Sequence, residues 1–261
     1  MRLQIIGGGK MGEALLGGLI DTGWSAADEL VVVEAAAARR AELVTAHPGC
    51  AVRDDVVDGV DAIVAVKPDA VVDVCQALAA RGVRRVLSIA AGVTIATLEA
   101  ALAPGTAVVR CMPNTPALVG VGAAAIATGS SAGAADGDWA ESILRSVGTV
   151  EVVDESLLDA VTGLSGSGPA YVFLLAEALI DAGESAGLPR DVSVRLTEQT
   201  LLGAATLLAR SSDSPETLRK NVTSPNGTTA AGLAVFEAAD FRWLVAQVVA
   251  AATERSRELG A

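Results

Sequence analysis

The sequence predicts an α/β protein in two parts, a doubly wound parallel-sheet domain over residues 1–154 followed by an all-α domain over residues 155–261. Three observations carry this reading. Short Val- and Ile-rich runs alternate with helical patterns through the first part and then stop. A glycine-rich turn stands directly after the first of those runs. Beyond residue 155, apolar residues recur at helical spacing, broken at Gly187-Leu188-Pro189 and at Ser224-Pro225-Asn226-Gly227.

Taken in order, Leu3–Ile6, Leu30–Val33, Ala62–Val66, Arg85–Ile89, Ala107–Arg110, Gly122–Ala127 and Thr149–Val153 read as strands. Several are continuous apolar runs bounded by glycine or charge, as strands covered on both faces should be. Helical patterns such as Gly12–Thr22 and Ala37–Ala46 lie between them. In the second part, Leu157–Val161, Ala170–Gly187, Val192–Arg210, Ser214–Asn221 and Phe241–Leu259 read as helices.

Composition narrows the class. Hydrophobic residues make up 51% of the 261 but aromatics only 3%, so the core must be built from Ala, Val and Leu. A net charge of −12, with no basic run, argues against nucleic acid or an anionic membrane as partner. Cys50, Cys75 and Cys111 are odd in number and widely spaced, with only His47 for company, so neither a disulfide framework nor a metal site is expected. Met1-Arg2-Leu3-Gln4 runs straight into the first strand without a signal-peptide core, and no run of about 18–20 apolar residues stands out as a membrane span. The expectation is a soluble, cytoplasmic chain.

The chemistry begins at the front. Ile6 leads into Gly7-Gly8-Gly9-Lys10-Met11-Gly12, which satisfies G-x-G-x-x-G between a strand and a helix. Gly7 allows the tight turn, Gly9 lets the backbone approach a pyrophosphate, and Gly12 lets helix pack on strand. The helix N-terminus then offers N–H groups to phosphate. This is the signature of a Rossmann-like dinucleotide site. Glu34 closes the second strand 22 residues past Gly12, where an acid accepts from a ribose 2′-OH and repels a 2′-phosphate. Arg39 and Arg40 follow on the next helix, either as a solvated face or as partners for a 2′-phosphate, so NAD(H) and NADP(H) both stay open. Ala65-Val66-Lys67-Pro68 and Ile89-Ala90-Ala91-Gly92 end two further strands, where the same cofactor would pass.

Five segments, Gly7–Met11, Ala65–Pro68, Arg110-Cys111-Met112-Pro113-Asn114-Thr115-Pro116, Leu164–Tyr171 and Val222–Thr229, occur in the order and spacing of pyrroline-5-carboxylate reductases. The resemblance covers essentially the whole chain. It implies reduction of the cyclic imine L-Δ1-pyrroline-5-carboxylate to L-proline with NAD(P)H, the last step of proline biosynthesis. It implies a helical dimerisation domain, and dimers that in many members assemble into decamers. It also implies that Thr228 and Thr229 contact the substrate, that its carboxylate meets amides of the loop Thr223–Thr229, and that Asn221 touches the cofactor. In such dimers this loop faces the cofactor of the other subunit. Family loops usually read Ser-Pro-Gly-Gly-Thr-Thr; here Asn226 replaces a glycine, and asparagine tolerates a left-handed backbone.

The residues themselves suit that chemistry. Ser165-Gly166-Ser167-Gly168-Pro169 precedes an apolar helix and reads either as a carboxylate cradle of N–H and hydroxyl groups or as an ordinary N-cap with a flexible approach. The C=N carbon of an imine accepts a hydride once its nitrogen is protonated, so the protein need only hold the ring and give that nitrogen a hydrogen-bonding partner; one hydroxyl suffices, and Thr229 is the candidate by family position. His47 sits before Pro48-Gly49 in a turn and is not expected to be catalytic. Lys67, on the cofactor edge, is the alternative catalytic group, with shaping or electrostatics near the cofactor as its expected role, and Glu155 either contacts product, as in some relatives, or is a helix N-terminal charge. A 6-phosphogluconate-type dehydrogenase would need a lysine that Ala170–Gly187 lacks. A non-catalytic dinucleotide sensor would have no use for Thr228 and Thr229.

Overall fold

In the computed structural model, which describes residues 1–260, eight strands form one sheet: β1 (Leu3–Ile6), β2 (Leu30–Val33), β3 (Ala51–Arg53), β4 (Ala62–Val64), β5 (Arg85–Ser88), β6 (Ala107–Met112), β7 (Gly122–Thr128) and β8 (Gly148–Val152). The order is β3-β2-β1-β4-β5-β6-β7-β8. The chain thus leaves β1 toward one edge and resumes at β4 toward the other. That reversal opens a crevice at the carboxyl ends of β1 and β4, where doubly wound sheets bind ligands.

Two features depart from the expected sheet. β3 went unread because it is three residues long and carries no buried side chain. The β6–β7 pair is antiparallel while every other pair is parallel. Its connection, Pro113–Val121 with a tight helical turn at Thr115–Val119, is shorter than the dozen or so residues a parallel crossover needs.

Helices α1 (Lys10–Asp21), α2 (Ala37–Ala46), α3 (Val71–Ala80), α4 (Ile95–Ala101) and α5 (Ala134–Leu144) cover the sheet. Leu15, Leu16 and Leu19 of α1 and Ile143 and Leu144 of α5 pack with Leu3, Ile5 and Leu30 in one layer. Cys75 and Leu78 of α3 and Leu98 of α4 pack with Ile6, Val64 and Val86 in the other. All three cysteines are buried in these layers. Burial pushes the Cys75 thiol up to about 11 and raises Cys111 further.

The second part is helical: α6 (Leu158–Val161), α7 (Gly168–Ser185), α8 (Arg190–Arg210), α9 (Pro215–Asn221), α10 (Thr228–Ala238) and α11 (Phe241–Gly260). The chain divides into two compact units, residues 1–167 together with 250–260, and residues 168–249. Between α6 and α7, Thr162–Gly166 forms a widened helical turn in which the Ser167 N–H reaches back five residues to the Thr162 carbonyl at 2.8 Å. Ser165–Gly168 is therefore part of a helical run, not a flexible approach to one. That continuity corrects the membrane-span expectation. Glu155–Ser185 is long and apolar enough, by length and composition alone, to cross a bilayer. The second unit leaves such surface uncovered throughout: Phe173 is 62% exposed, Leu174 65% and Val235 70%.

Candidate active site

The glycine turn is shaped by contacts that only glycine permits. Gly7 has φ of +105°, and a Cβ there would lie 2.6 Å from the Ala65 carbonyl oxygen. A Cβ on Gly12 would lie 2.1 Å from the Gly7 oxygen, so α1 sits directly against the turn. Gly9 is different: a Cβ there would meet nothing within 4 Å. It faces open space at the N-terminus of α1, with Lys10 exposed beside it and Met11 packed against the core below. No side chain caps this helix start, so its first N–H groups are available to a phosphate. A pyrophosphate fits there.

Glu34 stands at the end of β2 with its carboxylate held by two amides. Oε2 accepts from the Gly8 N–H at 2.9 Å and Oε1 from the Ala36 N–H at 2.8 Å. Neither arginine that follows is a solvated face. Arg39 donates from Nε to the Gly8 carbonyl at 2.8 Å and pairs with Glu42 and Glu13. Arg40 donates to the carbonyls of Glu34 and Ala35 at 2.8 and 2.7 Å. Burial raises the Glu13 carboxyl, but Arg39 and His47 outweigh it and hold Glu13 below the usual carboxylate range. His47 Nε2 lies 3.3 Å from Glu13 Oε1 and so supports the far side of the turn.

A cleft of about 340 Å³ opens between these elements, lined by Gly7, Glu34, Asp54, Asp55, Val66 and Asp73 among others. A larger hollow of about 570 Å³ lies on the outer face of α1 between Glu13 and Val119, away from the crevice at β1 and β4. Ala65 and Val66 border the crevice after β4, with Lys67 exposed and Pro68 opening a short turn. After β5, Ala90 is buried and Ala91 exposed. Gly92 follows at φ +76°, and a Cβ on it would come within 3.3 Å of the Leu259 carbonyl near the end of α11.

Glu155 is occupied structurally. Its Oε1 accepts from Arg110 at 2.8 Å and from the Ile95 N–H that opens α4 at 2.7 Å. Asn114, quoted above only as part of a motif, ties the same region together. Its Oδ1 accepts from the Ala123 N–H at 2.8 Å, and its amide donates to the Ser165 carbonyl at 3.0 Å. Gly166 is needed for packing, since a Cβ there would lie 2.5 Å from the Met112 methyl. The Ser165 hydroxyl donates to the Val161 carbonyl at 3.1 Å, so it serves the widened turn. Ser167 and Gly168 complete that turn, and a Cβ on Gly168 would be unobstructed.

In the helical unit, Thr228 and Thr229 are the first two residues of α10, a helix the sequence pattern did not reveal. Ser224-Pro225-Asn226-Gly227 is a tight turn closed by the Gly227 N–H on the Ser224 carbonyl at 3.1 Å. Asn226 takes the left-handed backbone at φ +58° that the usual glycine would supply. Both threonines are exposed, and no side chain caps the helix start they occupy. Asn221 ends α9 and is exposed. Among the described residues no cluster of His, Cys, Asp or Glu could hold a metal ion.

Comparison with known proteins agrees with this arrangement. A family described as "Pyrroline-5-carboxylate reductase dimerisation" matches residues 155–259, and one described as "NADP oxidoreductase coenzyme F420-dependent" matches residues 2–92. The chain is 44% identical to the pyrroline-5-carboxylate reductase of Pseudomonas aeruginosa, over 99% of this chain and 96% of that one. It is 43% identical to that of Synechocystis, over 100% and 98%. A solved pyrroline-5-carboxylate reductase from Coxiella burnetii superposes with a TM-score of 0.93 at 34% identity, covering 100% of this chain and 98% of that one. One from Plasmodium falciparum with NADP bound gives 0.86 at 30%, with coverage of 100% and 98%. With relatives this similar along its full length, the chain belongs to the pyrroline-5-carboxylate reductase family.

Proposed function

We propose that Thr229 is the hydroxyl that serves the imine nitrogen in the reaction of this family. The chain is an NAD(P)H-dependent reductase that converts L-Δ1-pyrroline-5-carboxylate to L-proline. The observation that carries the site assignment is the uncapped start of α10, where two exposed threonines accompany free N–H groups. A carboxylate is stabilised at such a helix start, and a hydroxyl beside it can hydrogen-bond the imine nitrogen.

When bound, the nicotinamide supplies the hydride. The protein's own tasks are positional. Gly7, Gly8, Gly9, Lys10 and Met11 hold the pyrophosphate, Ile6 and Glu34 border the adenosine side, and Ala65–Pro68, Ala90 and Ala91 line the passage to the nicotinamide. Asn221 contacts the cofactor, and Ser224, Gly227 and Thr228 bind the substrate carboxylate. Ser165, Gly166, Ser167 and Gly168 border the substrate, with Asn114 holding the Ser165 carbonyl, while Glu155 ties Arg110 to the start of α4. The C=N carbon takes the hydride with its nitrogen protonated from solvent, so the π pair becomes the amine lone pair, no general base is required, and the Thr229 hydroxyl need only keep that nitrogen hydrogen-bonded as the hydride arrives.

The functional unit is a homo-oligomer. In the arrangement proposed, the helical domain from residue 155 onward pairs two chains, and the threonines of one serve the cofactor held by the other. Assembly of such dimers into a decamer, and work in the cytoplasm away from nucleic acid and membrane, complete the reading. The net charge of −12 supports the last point. Light scattering reads the assembly.

The test is the initial rate of NAD(P)H oxidation with pyrroline-5-carboxylate for the native chain and for Thr229→Ala. Removing one transition-state hydrogen bond should lower kcat by about 10–1000-fold while cofactor Kd stays within about twofold. An unchanged kcat removes Thr229 from the chemistry.

A further inference from the structure

We propose that this enzyme selects NADH over NADPH, and that Glu34 is the specificity-determining residue. The inference deepens the reading of the glycine turn as a dinucleotide site, and rests on it. Three observations carry it together.

The first is the fixed carboxylate. The Gly8 and Ala36 amides hold both oxygens of Glu34, so the group cannot swing out of the cleft without losing two charge-assisted hydrogen bonds. Each oxygen keeps a lone pair for a ribose hydroxyl. A 2′-phosphate brought to the same place would meet an anion that has nowhere to go.

The second is the commitment of the nearby cations. Arg39 uses Nε on the Gly8 carbonyl and its two terminal nitrogens on Glu42 and Glu13. Arg40 donates to the Glu34 and Ala35 carbonyls and lies 3.7 Å from Asp54. Releasing Arg39 to greet a phosphate would strip a hydrogen bond from the glycine turn, and releasing Arg40 would strip two from the Glu34-Ala35 backbone that holds the carboxylate in place.

The third is the lining. Asp54, Asp55 and Asp73 join Glu34 around the cleft, and among the described residues no lysine or arginine lines it. Arg81 neutralises Asp55 and Arg40 stands near Asp54, but Glu34 and Asp73 have no cationic partner within 4.0 Å. Arg53, at the end of β3, is exposed and lies outside the lining. A phosphate dianion therefore enters a net negative field, while a 2′-hydroxyl does not suffer from it.

The experiment is calorimetric titration of the full-length chain with NADH and, separately, NADPH, at about 50 mM and about 500 mM salt. NADH should bind at least about tenfold tighter at low salt. That ratio should narrow as salt screens the exposed aspartates, without reaching unity, because the hydrogen bond to the 2′-hydroxyl is insensitive to screening. Glu34→Gln keeps the shape, removes the charge and should shrink the ratio at least about fivefold, chiefly by improving NADPH. Unfolding temperature of the variant checks that the turn is intact. If NADPH binds as tightly as NADH, or tighter, the proposal is overturned. If NADH is preferred but Glu34→Gln leaves the ratio unmoved, the assignment to Glu34 is overturned. If neither nucleotide binds, the dinucleotide reading itself falls.

Discussion

The two compact units solve the burial problem differently. Every buried apolar side chain, from Leu3 to Leu158, belongs to the sheet unit, where two helical layers close over eight strands. In residues 168–249 the buried side chains are Ser193 and Thr197, while Phe173, Leu174, Leu202, Val235 and Trp243 stand open. Hydrophobic burial is the dominant favourable term in folding, so the sheet unit is complete as one chain and the helical unit is half of a core. The family model that matches residues 155–259 is one of dimerisation, in accord with an apolar face left open in the single chain. The match to an NADP oxidoreductase family thus falls on the part that closes its own core, and the match to a dimerisation family on the part that does not.

The sharpest way to break this contrast is a charge on the open helical face. Phe173→Asp should abolish the dimer in light scattering and lower turnover at least 100-fold, since a buried unpaired carboxylate is among the costliest interface changes. NADH binding should persist within a few-fold, because the glycine turn belongs to the other unit. Loss of both together would mean that the sheet unit also depends on the partner.

Within the sheet unit, two glycines of one motif sharpen the comparison further. Gly12→Ala places a methyl 2.1 Å from a backbone oxygen and should cost roughly 1–3 kcal/mol of stability, read by urea unfolding. Gly9→Ala meets nothing within 4 Å, so its stability should stay within about 0.5 kcal/mol while cofactor affinity falls about tenfold. One glycine is kept by the fold and the other by the ligand.

The smallest expected effect concerns Glu13. Its pKa is depressed in the folded protein, so its contribution is fully present above the unfolded value of about 4.3 and is lost as pH falls through the lower folded value. With a side chain 32% exposed, that contribution should be at most about 0.5 kcal/mol. The difference in melting temperature between native protein and Glu13→Gln should therefore shrink from about pH 5 to about pH 3.

What could be read from the sequence follows the same division. Strands β1 and β2 and helix α2 fall where the apolar runs place them, because a doubly covered sheet writes its burial as continuous hydrophobic stretches. The glycine turn was legible because Gly7 and Gly12 answer steric demands of the fold while Gly9 faces the open helix start. Ala51–Arg53 was not, since a three-residue edge strand with no buried side chain leaves no pattern. Nor were the acids at its end, Asp54 and Asp55, which enter the cleft through that unread strand. Helix α10 was missed because Gly227-Thr228-Thr229 reads as loop, and its all-round apolar character gives no clean period. The widened turn at Thr162–Gly166 has no sequence signal beyond its serines and glycines.

The burial of Cys50, Cys75 and Cys111 has a kinetic consequence. All three thiols lie inside the sheet unit, and the helical unit has none. A thiol reagent can react only when that unit opens, so the labelling rate reports its opening free energy and is blind to fraying of the helices. Trp24 and Trp139 lie in the sheet unit and Trp243 in the helical one, so Trp243 reports the helical unit by fluorescence once the other two are replaced by phenylalanine. The native thiols therefore clock the opening of the sheet unit alone, and the same chain with Trp243 as its one tryptophan times the helical unit beside it.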